Sequence, residues 1–222
     1  MNIALITGAN RGIGLAITKT LLKNNYKVIA VSKSVNNLHK INNNNLIVYK
    51  CNLTNNDELE LLLEYITTQK INILINNAGI GKFGNTLNFN DNDWNEIITL
   101  NLTVPFMLIK SVISNMKELG FGKIINICSD ASYLGFDEAA AYCASKHGLY
   151  GLGKALSIEL KKYGITVSSI CPGRVDTFFN NKNPGDRPNA LKDCDIADLI
   201  LNIIQYENRC NIETVMLSSS NE

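Results

Sequence analysis

Several things are scarce in this 222-residue chain, and each scarcity excludes something. Net charge is only +1, with 21 basic residues against 20 acidic ones, so nothing in the charge balance points to nucleic acid or to a membrane surface. The partner to expect is a small molecule. There are two histidines, and the six cysteines (Cys51, Cys128, Cys143, Cys171, Cys194 and Cys210) form no Cys-x-x-Cys pair, which leaves a metal site little to build on. The thiols therefore read as free, buried or half-buried groups. The chain passes from Met1 straight into a strand pattern without a charged and then apolar leader, and no later run looks long enough to span a bilayer. A cytoplasmic protein is expected. The asparagine-rich stretch 42–45 is only turn-sized. With 45% hydrophobic residues there is enough to bury one substantial core and too little chain for a second, so a single domain over 1–217 and a loose tail over 218–222 are expected.

What is present begins at the amino terminus. A β-prone run at 3–6 ends in Thr7-Gly8-Ala9-Asn10-Arg11-Gly12-Ile13-Gly14, and the glycines open a run in which Ile13, Ala16, Ile17, Thr20 and Leu21 recur at helical spacing up to Asn24-Asn25. A strand, a glycine turn and a helix N-terminus let backbone N–H groups meet a pyrophosphate, which makes this a candidate dinucleotide site. The competing reading is a glycine turn needed only for close packing of helix on strand. The spacing Gly-x-x-x-Gly-x-Gly also departs from the commonest dinucleotide fingerprint. A second strand at 27–31 is followed by Ser32 and Lys33, where an NAD site usually carries a carboxylate for the ribose 2′-hydroxyl. No acid is present. Lys33 and Arg11 can clamp the additional phosphate of NADP, so NADP is favoured and NAD is the second choice; the alternative is that both cations simply face solvent.

A third strand at 46–50 leads to Cys51-Asn52-Leu53-Thr54, and Leu59, Leu62, Leu63 and Ile66 mark a core-facing helix. The fourth strand, 71–75, ends in Asn76-Asn77-Ala78-Gly79. A long helical pattern starts near Asp91, and Pro105 should kink it or mark an irregular turn close to Asn101. The fifth strand, 123–128, closes on Ser129, and Tyr142 and Lys146 lie one helical turn apart in a helix running to about 163. The sixth strand, 165–171, leads into Pro172-Gly173-Arg174-Val175-Asp176-Thr177, then a polar loop over 178–188. Asp193 or Asp195 is expected to cap a last helix with Ile196, Leu199, Ile200 and Ile203 inward, and 212–217 reads as a terminal strand.

The ordered set Thr-Gly-x-x-x-Gly-x-Gly, Asn-Asn-Ala-Gly, Asn101, Ser129 and Tyr142-x-x-x-Lys146 resembles the short-chain dehydrogenase/reductase family, in its short single-domain form, over nearly the whole chain. That resemblance implies an α/β fold, a Rossmann-type doubly wound parallel sheet of about seven strands with helices on both faces. It also implies a homodimer or homotetramer paired through the helices near 91–119 and 141–163. It assigns Tyr142 as general acid/base, Lys146 as the charge that lowers its pKa, Ser129 as the hydrogen bond to the carbonyl oxygen, and Asn101 as a proton relay through water. It assigns the cofactor to Gly8, Asn10, Arg11, Gly12, Ile13, Gly14, Ser32, Lys33, Asn52, Leu53, Asn77, Ala78, Gly79, Tyr142, Lys146, Pro172, Gly173, Val175 and Thr177. Asn52 departs from the acid that family members usually carry there. The implied activity is hydride transfer between NADP(H) and a small carbonyl or secondary alcohol. Two readings compete with it. One is a catalytically silent cofactor-binding sensor. The other is a hydrolase using Ser129 with His147, which lacks a Gly-x-Ser-x-Gly elbow.

Overall fold

In the computed structural model, which describes residues 2–179 and 182–220, the β-branched runs lie side by side as parallel strands. They are β1 (Ile3–Thr7), β2 (Lys27–Ser32), β3 (Leu46–Lys50), β4 (Ile73–Asn76), β5 (Gly122–Ile127), β6 (Ile165–Pro172) and β7 (Thr214–Leu217). Their order in the sheet is β3-β2-β1-β4-β5-β6-β7, and every neighbouring pair is parallel. Parallel strands buried on both faces need apolar residues of both parities, and this chain supplies them. Ile6, Val28, Ile75 and Ile125 face one core with Ile17 and Leu21 of α1 (Gly12–Lys23) and Ile196 and Ile200 of α6 (Asp193–Gln205). Leu5, Ile29, Leu74 and Ile124 face the other, against α2 (Asn56–Thr67), α4 (Val104–Leu119) and α5 (Ala140–Leu160).

The chain runs outward from β1 to β3 and returns to the middle at β4, so the segments that follow β1 and β4 leave for opposite faces and a crevice opens at the carboxyl ends of those strands. Two side chains hold its floor. The Thr7 hydroxyl accepts the backbone N–H groups of Asn77 and Ala78, both at 3.0 Å, and Asn77 Nδ2 donates back to the Thr7 carbonyl at 2.8 Å. Above this staple α1 comes so near that a Cβ on Gly14 would stand 2.4 Å from the Gly8 carbonyl oxygen and 2.6 Å from Asn77 Nδ2. Only a hydrogen fits there.

Four sequence-based expectations need correction. The segment Asp91–Leu119 does have the length and apolar character of a membrane-spanning helix. It is interrupted after α3 (Asp91–Ile98) by a π turn, Thr99–Thr103, because Pro105 has no N–H to return to the carbonyl of residue 101. Beyond the turn Leu108, Val112 and Met116 of α4 pack into the second core. The cap of α6 is Lys192 rather than Asp193 or Asp195; Asp195 instead accepts the Lys192 N–H from the third helical position at 2.8 Å. Strands β4 and β7 begin two residues later than the pattern suggests. In the tail, Ser219 is tied by its hydroxyl to the Asn189 carbonyl, while 221 and 222 lie outside the described residues.

The loop after β6 is organised by Asp176. Its carboxylate accepts the Gly185 and Arg187 N–H groups and pairs with Lys192 at 3.0 Å, and Val175 bridges to Leu191. Lys192 above all, then the two N–H groups, holds the carboxyl below its ordinary value of 3.8. A depressed pKa means that this contribution is complete above the ordinary carboxylate value and disappears as pH falls through the lower folded value. Hydrogen-exchange protection over 183–192 should therefore stay level from neutral pH to about pH 4 and collapse below it. In Asp176→Asn the same protection should already be reduced at neutral pH. The glycine contact gives a second expectation: Gly14→Ala should cost about 1–3 kcal/mol of stability by overpacking, read as a lower melting temperature. Gly135→Ala, where a Cβ would meet nothing within 4 Å, should leave the melt unchanged.

Candidate active site

The crevice opens into one continuous cleft of about 980 Å³, from Ser32 and Lys33 beyond β2 to Tyr142 on α5. At its near end Gly8 and Gly12 have φ of +65° and +51°, a left-handed backbone that costs glycine least. The turn delivers α1 with its first N–H groups toward the cleft. The cap residue Arg11 makes no side-chain bond to them, and the first turn carries no acid. A helix N-terminus left uncapped behind two left-handed glycines suits a pyrophosphate. Asn52, Leu53, Ala78 and Gly79 line the middle of the cleft, and Pro172, Gly173, Val175 and Thr177 line the far side.

The structure separates residues that the sequence put on one footing. Asn10 lines the cleft, yet its side chain is spent on the loop after β2, where Oδ1 accepts the Asn37 N–H at 2.9 Å. Asn77 lines it too, with its amide engaged in the floor staple. Gly14 and Asn101 are not on the wall at all. Gly14 lies under the turn, and Asn101 is fully buried behind Gly79, its Oδ1 accepting the Ile80 N–H at 2.9 Å and its Nδ2 donating to the Ile80 carbonyl and to the Ser145 hydroxyl. These bonds fix the stretch after β4 to α5. Thr7, Ser145 and Asp176 hold the site together and carried no motif label of their own, except that Thr7 begins the glycine motif.

At the far end, α5 brings Tyr142 and Lys146 to one face beside the end of β5. The Lys146 ammonium is buried, donates to the Ile127 carbonyl at 2.8 Å and lies 5.9 Å from the Tyr142 ring centroid. Ser129 opens a 3-10 turn, its hydroxyl donating to Asp130 at 2.7 Å and accepting the Ala131 N–H. Burial is the strongest influence on both titrating groups. It pushes the Tyr142 phenol well above its ordinary value of 10.0, with a Ser129 hydrogen bond pulling weakly the other way, and it pulls the Lys146 ammonium down. Part of that burial is an aromatic cover that no motif announces: Phe83 and Phe179 each bring a ring to 5.7 Å from that of Tyr142, and both rest on Gly81.

His147 is exposed and bonded to its own helix at the Cys143 carbonyl, and it does not line the cleft. With the Ser129 proton given to Asp130, a serine-histidine hydrolase has no base in place.

Comparison with known proteins fits this geometry. A family model described as short chain dehydrogenase matches residues 2–188. Among curated relatives, the 3-oxoacyl-(acyl-carrier-protein) reductase FabG of Buchnera aphidicola is 40% identical over 184 residues, covering 81% of this chain and 75% of the relative. Among solved structures, a 4-hydroxyisoleucine dehydrogenase complexed with NADH is 30% identical with a TM-score of 0.89, covering 98% of this chain and 97% of its own. A serine dehydrogenase complexed with NADP+ is 26% identical with a TM-score of 0.90, covering 99% and 96%. The sheet order, the glycine cleft and the buried tyrosine-lysine pair at its end thus have one common explanation: the chain belongs to the short chain dehydrogenase family.

Proposed function

We propose that this protein is an NADP(H)-dependent oxidoreductase that reduces a small carbonyl compound to a secondary alcohol, within one domain spanning 1–217. The observation that carries the reading is the placement of Ser129, Tyr142 and Lys146 together at the blind end of the cleft that the glycine turn opens. A bound nicotinamide supplies the hydride. The chain does the rest. Tyr142, protonated through the neutral range because it is buried, gives its proton to the carbonyl oxygen. Ser129 turns its hydroxyl from Asp130 to that oxygen and stabilises the charge that develops there. Lys146, held by the Ile127 carbonyl, supplies positive charge beneath the phenol, and Asn101 keeps the surrounding backbone in place.

NADP rather than NAD is supported by the absence of a carboxylate at Ser32-Lys33 and by Arg11 and Lys33, two exposed cations lining that end of the cleft. The curated relative is a reductase of 3-oxoacyl groups, so a 3-oxoacyl thioester heads the list of substrates to try. Phe83, Phe136 and Phe179 give the substrate side an apolar wall suited to the alkyl part of such a carbonyl compound, and Arg174 lines the cleft where an acidic group would meet it. Exposed Phe106 on α4 and Ile158 on α5 support pairing of two copies through these helices, as a homodimer or homotetramer in the cytoplasm.

Loss of NADPH absorbance over a panel of ketones, aldehydes, 3-oxo acids and 3-oxoacyl thioesters tests the activity. A flat panel with clear NADPH binding would support the silent sensor instead. Tyr142→Phe should keep NADPH affinity and lose about 10²–10⁴ in kcat; a near-normal rate removes Tyr142 from the mechanism. Lys33→Ala should weaken NADPH by about tenfold or more and leave NADH unchanged, as loss of one charge-assisted contact requires. Equal loss of both cofactors in titrations would place Lys33 elsewhere.

A further inference from the structure

We propose that Cys128 and Cys171 form a redox modification site, at which a peroxide entering the cleft oxidises Cys128 and Cys171 closes a disulfide upon it. Strand register places the two thiols, independently of the catalytic reading. Strands β5 and β6 pair in parallel as far as Ile127 opposite Ile170, and the Cys128 N–H donates to the Ile170 carbonyl at 2.8 Å. The next pair is Cys128 and Cys171. Neighbouring strands lie about 4.8 Å apart, within the span of about 4.4–6.8 Å that a disulfide bridges between Cα atoms. Both cysteines fall in one buried cluster, where Leu149 of α5 packs on them. The strand register alone sets the two cysteines side by side.

The two thiols differ in access and character. Cys128 lines the cleft beside Ser129, whereas Cys171 is fully buried behind it. The neighbouring Cys171 thiol, and then the Lys146 ammonium, favour the Cys128 thiolate, and Cys128 in turn holds Cys171 protonated. Cys51 also lines the cleft, but burial and Glu58 push it up to about 11 and its thiol is turned to the Glu58 carbonyl. Attack of the Cys128 thiolate on hydrogen peroxide breaks the O–O bond and gives a sulfenic acid and hydroxide. The Cys171 sulfur then displaces the sulfenic oxygen, its proton leaving with that oxygen as water. Overall two thiols and one peroxide become one disulfide and two waters. The bond would join the strand ends that carry Ser129 and the Pro172-Gly173 loop. A bridge between directly adjacent strands is strained, and strained bridges are readily reduced, as a reversible modification requires.

The test is peptide mapping of the intact protein after brief exposure to hydrogen peroxide, with remaining thiols alkylated under denaturing conditions. The expected result is a dithiothreitol-reversible peptide pair joining Cys128 to Cys171, with two of the six thiols lost. Cys171→Ala should instead leave sulfenic or sulfinic acid on Cys128. Mapping of the unmutated protein decides the matter even if that variant folds poorly. Full alkylation of Cys128 and Cys171 while Cys143, Cys194 or Cys210 is oxidised would overturn the proposal.

Discussion

Everything at this site depends on how closely the ends of β1 and β4 are held together while their helices diverge. The Thr7 hydroxyl and the Asn77 amide cross-link the two strand ends, each short side chain meeting backbone groups of the other strand end. The arrangement fixes the Gly8 carbonyl, and the Gly8 carbonyl sets how near α1 can approach. A helix set back by even one methyl group would carry its N–H groups away from the turn. The strength of a helix N-terminus as an anion site lies in unsatisfied donors within its first turn, so the tolerance for such a shift is small. Binding geometry at one end of the cleft is therefore a packing property of the sheet centre.

The same economy appears at the other end. Asn101 sits in a π turn, the one place in the long α3–α4 segment where the helix is wide enough to direct a side chain inward to the Ile80 backbone. A regular helix would have rotated that amide away. The irregularity follows from a missing N–H at Pro105, four residues on. A single imino acid thus ties the stretch after β4 to the helix that bears Tyr142, and the tie passes through Ser145, next to Lys146.

How much of this was legible in the sequence follows from the range of the interactions. The glycine turn, Tyr142 with Lys146 and the strands were legible because each is set by neighbours within a turn or two, where spacing carries the information. Pro105 announced an irregularity but not that the turn would be π, since that depends on what Asn101 meets 21 residues away at Ile80. The aromatic cover was illegible. Phe83 and Phe179 come from two irregular stretches nearly a hundred positions apart, and only the folded sheet brings them to one phenol. Asn10 and Asn77 were legible as site residues but not in their work, because an amide that binds a ligand and one that binds a loop look alike in a sequence. The apolar length of Asp91–Leu119 escaped notice because it is shared between two helices and a turn.

Burial sets the protonation of both titrating groups at the tyrosine end of the cleft. A tyrosine one turn from a lysine suggests a preformed ion pair, phenolate with ammonium. Burial works against both members of such a pair, since it raises the phenol and lowers the amine. The ammonium has a strong acceptor in the Ile127 carbonyl, whereas a phenolate would lie between two phenylalanine rings with the Ser129 hydroxyl as its hydrogen-bond partner, which offsets only part of the cost of burial. The protein's own groups therefore hold Tyr142 in its protonated form, which is the form that donates.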